Sequence, residues 1–193
     1  MMKQSINEQI LQVAESLIQT KGYNAFSYRD IAEAVGVKTS SVHYHFPVKE
    51  DLGKAVVVRH IVMLDGQLES ILGNATLSCQ KMLEMFFDSV FSITYFSDTK
   101  MCLGGMLASD VLTLPEGIQH EIKHFFKIIE KWLVRLLKLG VENQDFYPIK
   151  DCKQEAALIL SILEGSLLLA RLYQEEKRLA QAKKAVILRL TSA

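Results

Sequence analysis

Proline is scarce in this chain. Three prolines and ten glycines in 193 residues leave few places where a helix must stop, which argues against a turn-rich β protein and for long helices. Cysteine is scarce too. Cys79, Cys102 and Cys152 are an odd set without metal-ligand spacing, so a disulfide framework is excluded and a reducing compartment is expected. There is no excess of either charge: 22 Lys and Arg balance 22 Asp and Glu. A protein that coats nucleic acid through bulk charge is therefore excluded, while a site-specific binder with a local basic face is not. No uninterrupted apolar run reaches the ~18 residues of a membrane span. The N-terminal stretch MMKQSINEQILQVAESL is broken by Asn7, Glu8, Gln12 and Glu15, unlike a signal peptide. A cytoplasmic protein is expected.

Apolar residues make up 49% of the chain, enough for a large core, and they recur at helical spacing. Ile6, Ile10, Leu11, Ala14, Leu17 and Ile18 predict a first helix closed by Gly22. Ser27, with Asp30 three residues on, predicts a capped helix over 28–35 that buries Ile31, Ala32 and Val35. Gly36 ends it. A short helix follows over about 40–46, stopped by Pro47. Further helices are expected over 50–72, 76–97, a short stretch ending at Thr113, 116–139, 151–174 and 177–191, with loops at 98–105 and 140–148. The fold class read from this is all-α with about nine helices and no strands. Residues 1–48 would form an N-terminal three-helix head, with the start of helix four at 49–60, and 49–193 a second helical domain.

The segment GVKTSSVHYHFPVKEDL (36–52) raises its own question. Its short helix is polar, with Val37, Val42 and Phe46 as its only evident anchors. Helix, glycine-containing turn and helix, with small Ala32 at the crossing, form the helix-turn-helix pattern. Hydroxyls and ring N–H groups on such a helix suit phosphate oxygens and base edges. The first 60 residues hold seven Lys and Arg against six Asp and Glu, so any DNA footprint must be local: Arg29, Lys38, Lys49, Lys54 and the histidines.

Residues 26–52, FSYRDIAEAVGVKTSSVHYHFPVKEDL, resemble the DNA-binding signature of the TetR family of bacterial regulators. The likeness covers about the first 60 residues: an Arg-Asp-Ile-Ala core, a Gly-Val turn, an aromatic-rich recognition helix, then Phe, Lys and Leu entering helix four. Beyond them it extends to helical architecture alone. The resemblance implies that Ser27 and Arg29 meet DNA at the start of helix two. It implies that Thr39, Ser40, Ser41 and Tyr44 lie in the major groove, and that His43, His45 and Lys49 face phosphates, with Lys38 among the basic groups of that face. His43 stands where the family usually has Tyr, and Ser40 where Gly or Pro is common.

Two further patterns bear on function. His120-Glu121-Ile-Lys-His124 spells the H-E-x-x-H pattern of zinc hydrolases, with Glu142 available as a third ligand. The buried stripe of that helix is Ile118, Ile122, Phe125, Ile129 and Trp132, so both histidines fall on its outer side; no metal, cofactor or catalytic group is expected. On the 76–97 helix a third face carries Met85, Asp88, Ser92 and Tyr95, which either orients a ligand inside the bundle or faces water. With Met82, Cys102, Met106, Phe125 and Trp132 it forms a candidate effector pocket. Cys102 reads either as an inert core thiol or as a sensor of electrophiles, a use that a branch of the resembled family makes of a similar Cys-Leu placement. Lys100 and the start of the next helix at Gly104-Gly105 would lower its pKa.

The last two helices are apolar over much of their surface. Leu160, Leu163, Leu167, Ala182, Val186 and Leu190 are the expected dimer interface, doubling into a four-helix bundle. The reading is a homodimeric, ligand-responsive transcription regulator, a repressor released from a palindromic operator by an unidentified small effector or electrophile. Its partners would be double-stranded DNA, itself and the effector, with no membrane. A zinc hydrolase and a helical interaction module without DNA binding are the alternatives.

Overall fold

The computed structural model describes residues 5–192, so the first four residues of the N-terminal stretch lie outside it. Nine α-helices and two single 3-10 turns account for the regular structure of the described residues, with no strand among them. The chain divides into two compact units, Met1–Val62 with Leu103–Phe125, and Met63–Cys102 with Phe126–Ala193.

The first unit opens with α1 (Ile6–Lys21), capped by the Ser5 side chain, which accepts from the Glu8 N–H at 3.2 Å. A 3-10 turn at Tyr23–Ala25 leads to α2 (Tyr28–Val35) and then α3 (Thr39–His45). Gly36 between them adopts φ 77°, ψ 35°, the left-handed region that a β-carbon penalises. It sends the Gly36 and Val37 N–H groups back to the Ala32 carbonyl, each at 2.9 Å, and so sets the angle between the helices. Ile10, Ala14, Ile18, Ile31 and Val42 are fully shielded from solvent, the Ile and Val side chains contributing roughly 1.5–3 kcal/mol each.

The first part of α4 (Lys49–Leu72) closes this head. Arg59 donates to Glu15 at 2.6 Å and to Glu8 at 2.9 Å, while His60 Nδ1 lies 2.7 Å from Glu15. The buried His60 ring also packs on Phe125, 5.7 Å between centroids. These contacts tie α1 to α4. The unit also contains α6 (Leu103–Ser109), a 3-10 turn at Val111–Thr113, and the first part of α7 (Glu116–Glu142).

The expected loop at 98–105 is therefore shorter than its glycines suggest. Leu103 and Leu107, one turn apart and both buried, draw Gly104 and Gly105 into the helix, because burial outweighs the low helix propensity of glycine.

The second unit holds the rest of α4 and α7 with α5 (Cys79–Ile93), α8 (Cys152–Tyr173) and α9 (Lys177–Thr191). α5 is shorter at both ends than 76–97. Ser78 caps its start, and Thr94 ends it by donating its hydroxyl to the Val90 carbonyl at 2.6 Å while its backbone leaves the helix. α7 runs past Gly140 to Glu142 rather than stopping at 139. A β-carbon at Gly140 would stand 2.1 Å from the Phe146 ring, so this glycine serves the close return of the chain, not helix termination.

Trp132 is buried. It donates to the Leu68 carbonyl at 2.7 Å and packs on Phe86 at 5.2 Å. α8, capped by Asp151, packs along α9, with Arg189 held by Glu155 at 2.8 and 3.1 Å. By length and composition α8 could cross a membrane. Its Ala156, Ile159, Leu163, Leu167 and Ala170 are, however, buried within the chain.

Candidate nucleic-acid interface

α3 has almost nothing to pack with. Of its seven residues only Val42 is buried, and the flanking Phe46 is 7% exposed. Thr39, Ser40, His43 and Tyr44 are exposed, Ser41 and His45 half-buried. Tyr44 is 83% exposed, and a phenol so far out of the core has only solvent or a partner to meet. Ser27, Arg29 and Lys38 are exposed beside it, and neither cation makes an ion pair among the described residues.

Three details alter the expected roles. Lys49 does not point to solvent. Its ammonium donates to the Tyr23 carbonyl at 2.7 Å and the Phe26 carbonyl at 2.5 Å, and lies over both rings, 4.8 and 4.2 Å from their centroids. Burial lowers its pKa, and Asp30 partly restores it. Lys49 thus locks the start of α4 to the α1–α2 turn, where two carbonyls already occupy its ammonium. Lys54 is likewise occupied, paired with Glu50 at 2.7 Å.

Ser27 is the N-cap of α2, and its hydroxyl and N–H both donate to Asp30, at 2.6 and 2.7 Å. Those bonds, the side-chain one foremost, hold the Asp30 carboxyl below its usual range. The local cation footprint narrows to Arg29 and Lys38. Tyr28, to which the sequence pattern assigns no role, belongs beside them. Its ring meets His43 edge-on at 4.6 Å, and its buried hydroxyl has no partner.

The candidate effector residues divide between the two units. Met85, Asp88 and Ser92 form an outward strip, with Tyr95 beyond the end of α5, because the adjoining face of Met82, Leu83, Phe86, Phe87, Val90 and Phe91 takes the interior. Asp88 is bound to Lys183 on α9 at 2.5 Å. Met82 and Trp132 are core residues of the second unit; Met106 and Phe125 belong to the first.

Cys102 is buried, and its thiol bears on the Glu164 carboxyl on α8. α6 begins at the next residue, Leu103. Electrophile sensing would require a reagent to reach this buried thiol. Burial and the neighbouring Asp145 push the Cys79 thiol up to about 11.

The expected dimer residues are also reassigned. Leu160, Leu163, Leu167, Val186 and Leu190 are buried within one chain, and Ala182 is half-buried, on two helices that pack together. The outward stripe is Leu158, Ile162, Gly165, Leu169 and Leu172 on α8, with Ala185 and Leu188 on α9. A shallow groove of about 340 Å³ lies among Ile162, Gly165, Leu169, Arg178 and Gln181.

On α7, His120 and His124 are exposed while Ile118, Ile122, Phe125, Ile129 and Trp132 are buried. His120 meets its neighbour Glu121 at 3.3 Å. Glu142 closes the helix instead of standing in a loop. No group of three or more His, Cys, Asp or Glu among the described residues is arranged to hold a metal.

Comparison with known proteins agrees with this geometry. Residues 10–56 match the model of bacterial regulatory proteins of the tetR family, and residues 82–186 that of the tetracyclin repressor-like C-terminal domain. The HTH-type transcriptional repressor KstR2 of Mycolicibacterium smegmatis is 30% identical over 147 residues, 76% of this chain and 70% of KstR2. A TetR transcriptional regulator from Legionella pneumophila of known crystal structure is 44% identical, with a TM-score of 0.92 over 98% of this chain and all of that one. A TetR family regulator from Agrobacterium tumefaciens is 26% identical, with a TM-score of 0.91 over 97% of this chain and 98% of that one. The chain belongs to the TetR family of bacterial transcriptional regulators.

Proposed function

We propose that this regulator is a homodimeric repressor that binds a palindromic operator through α3 and is released by a small, reversibly bound effector. It acts in the cytoplasm without catalysing a reaction. The observation that carries the reading is the exposure of Thr39, Ser40, His43 and Tyr44 on a helix anchored by Val42. Thr39, Ser40, Ser41 and Tyr44 are assigned to the major groove. Arg29, Lys38, His43 and His45 are assigned to phosphates, with the hydroxyl of Tyr28 gaining from a phosphate oxygen the partner it lacks within the chain. Ser27 presents the start of α2. The repressor sense follows the relative KstR2, a transcriptional repressor.

Residues 1–48 are assigned to DNA and 49–193 to the effector and the second copy. The outward stripe of Leu158, Ile162, Leu169 and Leu172 exposes apolar surface that a two-fold mate would bury as a four-helix bundle. Two recognition helices would then meet half-sites about 34–36 Å apart. An effector that binds better to a differently spaced dimer shifts the population off DNA by its differential affinity. A mobility shift on DNA flanking the gene tests the reading: a retarded, salt-sensitive, sequence-selective complex is expected, and binding indifferent to sequence overturns it.

A further inference from the structure

Glu164 sits in the middle of α8, in the second unit, between Leu163 and Gly165. Both of its carboxyl oxygens are shut off from water, and neither has a partner in well-formed hydrogen-bond geometry. Burial raises its pKa, and the Cys102 thiol, a weak donor, acts in the opposite direction. Among the described residues no lysine, arginine or histidine contributes to that shift. A buried acid with only a thiol for a donor is costly, and such groups in native proteins call for a further partner.

The chain leading to Cys102 is irregular. Asp98 and Thr99 lie at φ 70° and 51°, a region unfavourable for a β-branched residue, and the flexible Met101 adjoins the thiol.

We infer that Glu164, with Cys102 beside it, is the polar anchor of an effector site that takes an apolar molecule bearing one ammonium group. The inference rests on the ligand-responsive reading above and names the ligand's chemical class. Two acceptor oxygens with only a thiol for a donor are matched by N–H groups, and in a dry interior a cation is the group that lets a carboxylate ionise. An anionic ligand would be repelled, and an alcohol would supply a donor but no charge. The interior of this unit is largely apolar, including Phe86, Phe87, Phe91 and Trp132, which suits a hydrocarbon body. No covalent bond forms. The ammonium enters charged, and where Glu164 is protonated its proton leaves to solvent as the ion pair forms.

Three probes of one shape test this on the full-length protein: 1-naphthylmethylammonium, 1-naphthalenemethanol and 1-naphthoate, followed by Trp132 fluorescence and by calorimetry in two buffers of different ionisation enthalpy. The ammonium should bind at least tenfold more tightly than the alcohol, with proton release that grows as pH falls, and naphthoate more weakly still. Glu164→Gln should abolish the preference, and Cys102→Ala should keep it within about threefold. Equal binding of alcohol and ammonium, an unchanged preference in Glu164→Gln, or no ammonium binding at millimolar concentration each overturn the inference. Operator retardation by wild type and Glu164→Gln without probe is measured in parallel. Its loss in wild type counts against the regulator reading, and its loss in Glu164→Gln alone counts against a ligand-specific role for the acid.

Discussion

The Lys49 ammonium donates to the Phe26 carbonyl at 2.5 Å while lying 4.2 Å from the centre of the Phe26 ring. One side chain thus satisfies backbone acceptors at the entry to α2 and fixes the start of α4 against them. Lys49→Met should therefore destabilise the protein by about 2 kcal/mol, because it removes charged hydrogen bonds and cation–π attraction together. Urea denaturation checks this. Weaker DNA binding at unchanged stability, with a salt slope smaller by about one, would instead make Lys49 a phosphate contact.

The Glu15 carboxylate receives both Arg59 and His60. Burial alone would raise its pKa, but the hydrogen bond and charge of His60 and the charge of Arg59 bring it below the ordinary value. A depressed folded pKa means the stabilisation is present above the unfolded carboxylate pKa and is lost as pH falls through the folded value. Glu15→Gln should cost roughly 1–3 kcal/mol at pH 7, and the difference from wild type should shrink on acidification below the unfolded pKa. A difference independent of pH would contradict the ionic account.

Glu164 has the opposite sign. Its folded pKa is raised by burial, and the Cys102 thiol offsets this in part. As pH rises above the unfolded carboxyl pKa, the unfolded chain ionises while the folded one does not, and stability falls until the folded pKa is reached. Glu164→Leu should stabilise the ligand-free protein by about 1–3 kcal/mol near neutral pH, and by less at pH 4. Thermal melts across pH read this directly, and a destabilised Leu variant at pH 7 would mean the acid has a structural partner.

Leu163 and Leu169 separate folding from assembly. Leu163 is 1% exposed and Leu169 42%. Leu163→Glu should unfold the chain, because a charge would replace a core side chain. Leu169→Glu should leave the protomer folded and shift a dimer to monomer, read by sedimentation with circular dichroism. A dimer unaffected by Leu169→Glu would move the mate to another face.

Periodicity placed the helices well because their apolar stripes and caps are local signals: Ser27 with Asp30, Gly36, and the Ile118-to-Trp132 stripe all stand where the sequence puts them. What was not legible depends on tertiary neighbours. Both faces of α8 are apolar, so composition alone cannot say that Leu163 is buried while Leu169 is left outward. Lys49 follows a polar helix and reads as a DNA contact until the fold brings two carbonyls to it. Asp88 and Ser92 could face either way until Phe86 and Phe87 claim the interior. Glu164 did leave a trace, a single acid inside the apolar run LSILEGSLLL, where burial without a partner was a readable possibility.

The central claim is that α3 reads DNA, and Tyr44, 83% exposed and required by no packing, isolates it. The deciding measurement is the ratio of affinities for the flanking operator and for a scrambled duplex at fixed salt, for wild type and Tyr44→Ala of equal thermal stability. Wild type should prefer the operator by ~10³-fold or more. Tyr44→Ala should lower that ratio by about 1–3 kcal/mol for each base the side chain reads, with binding to the scrambled duplex little changed. An undiminished ratio in Tyr44→Ala would contradict the assignment of α3 as the reading face.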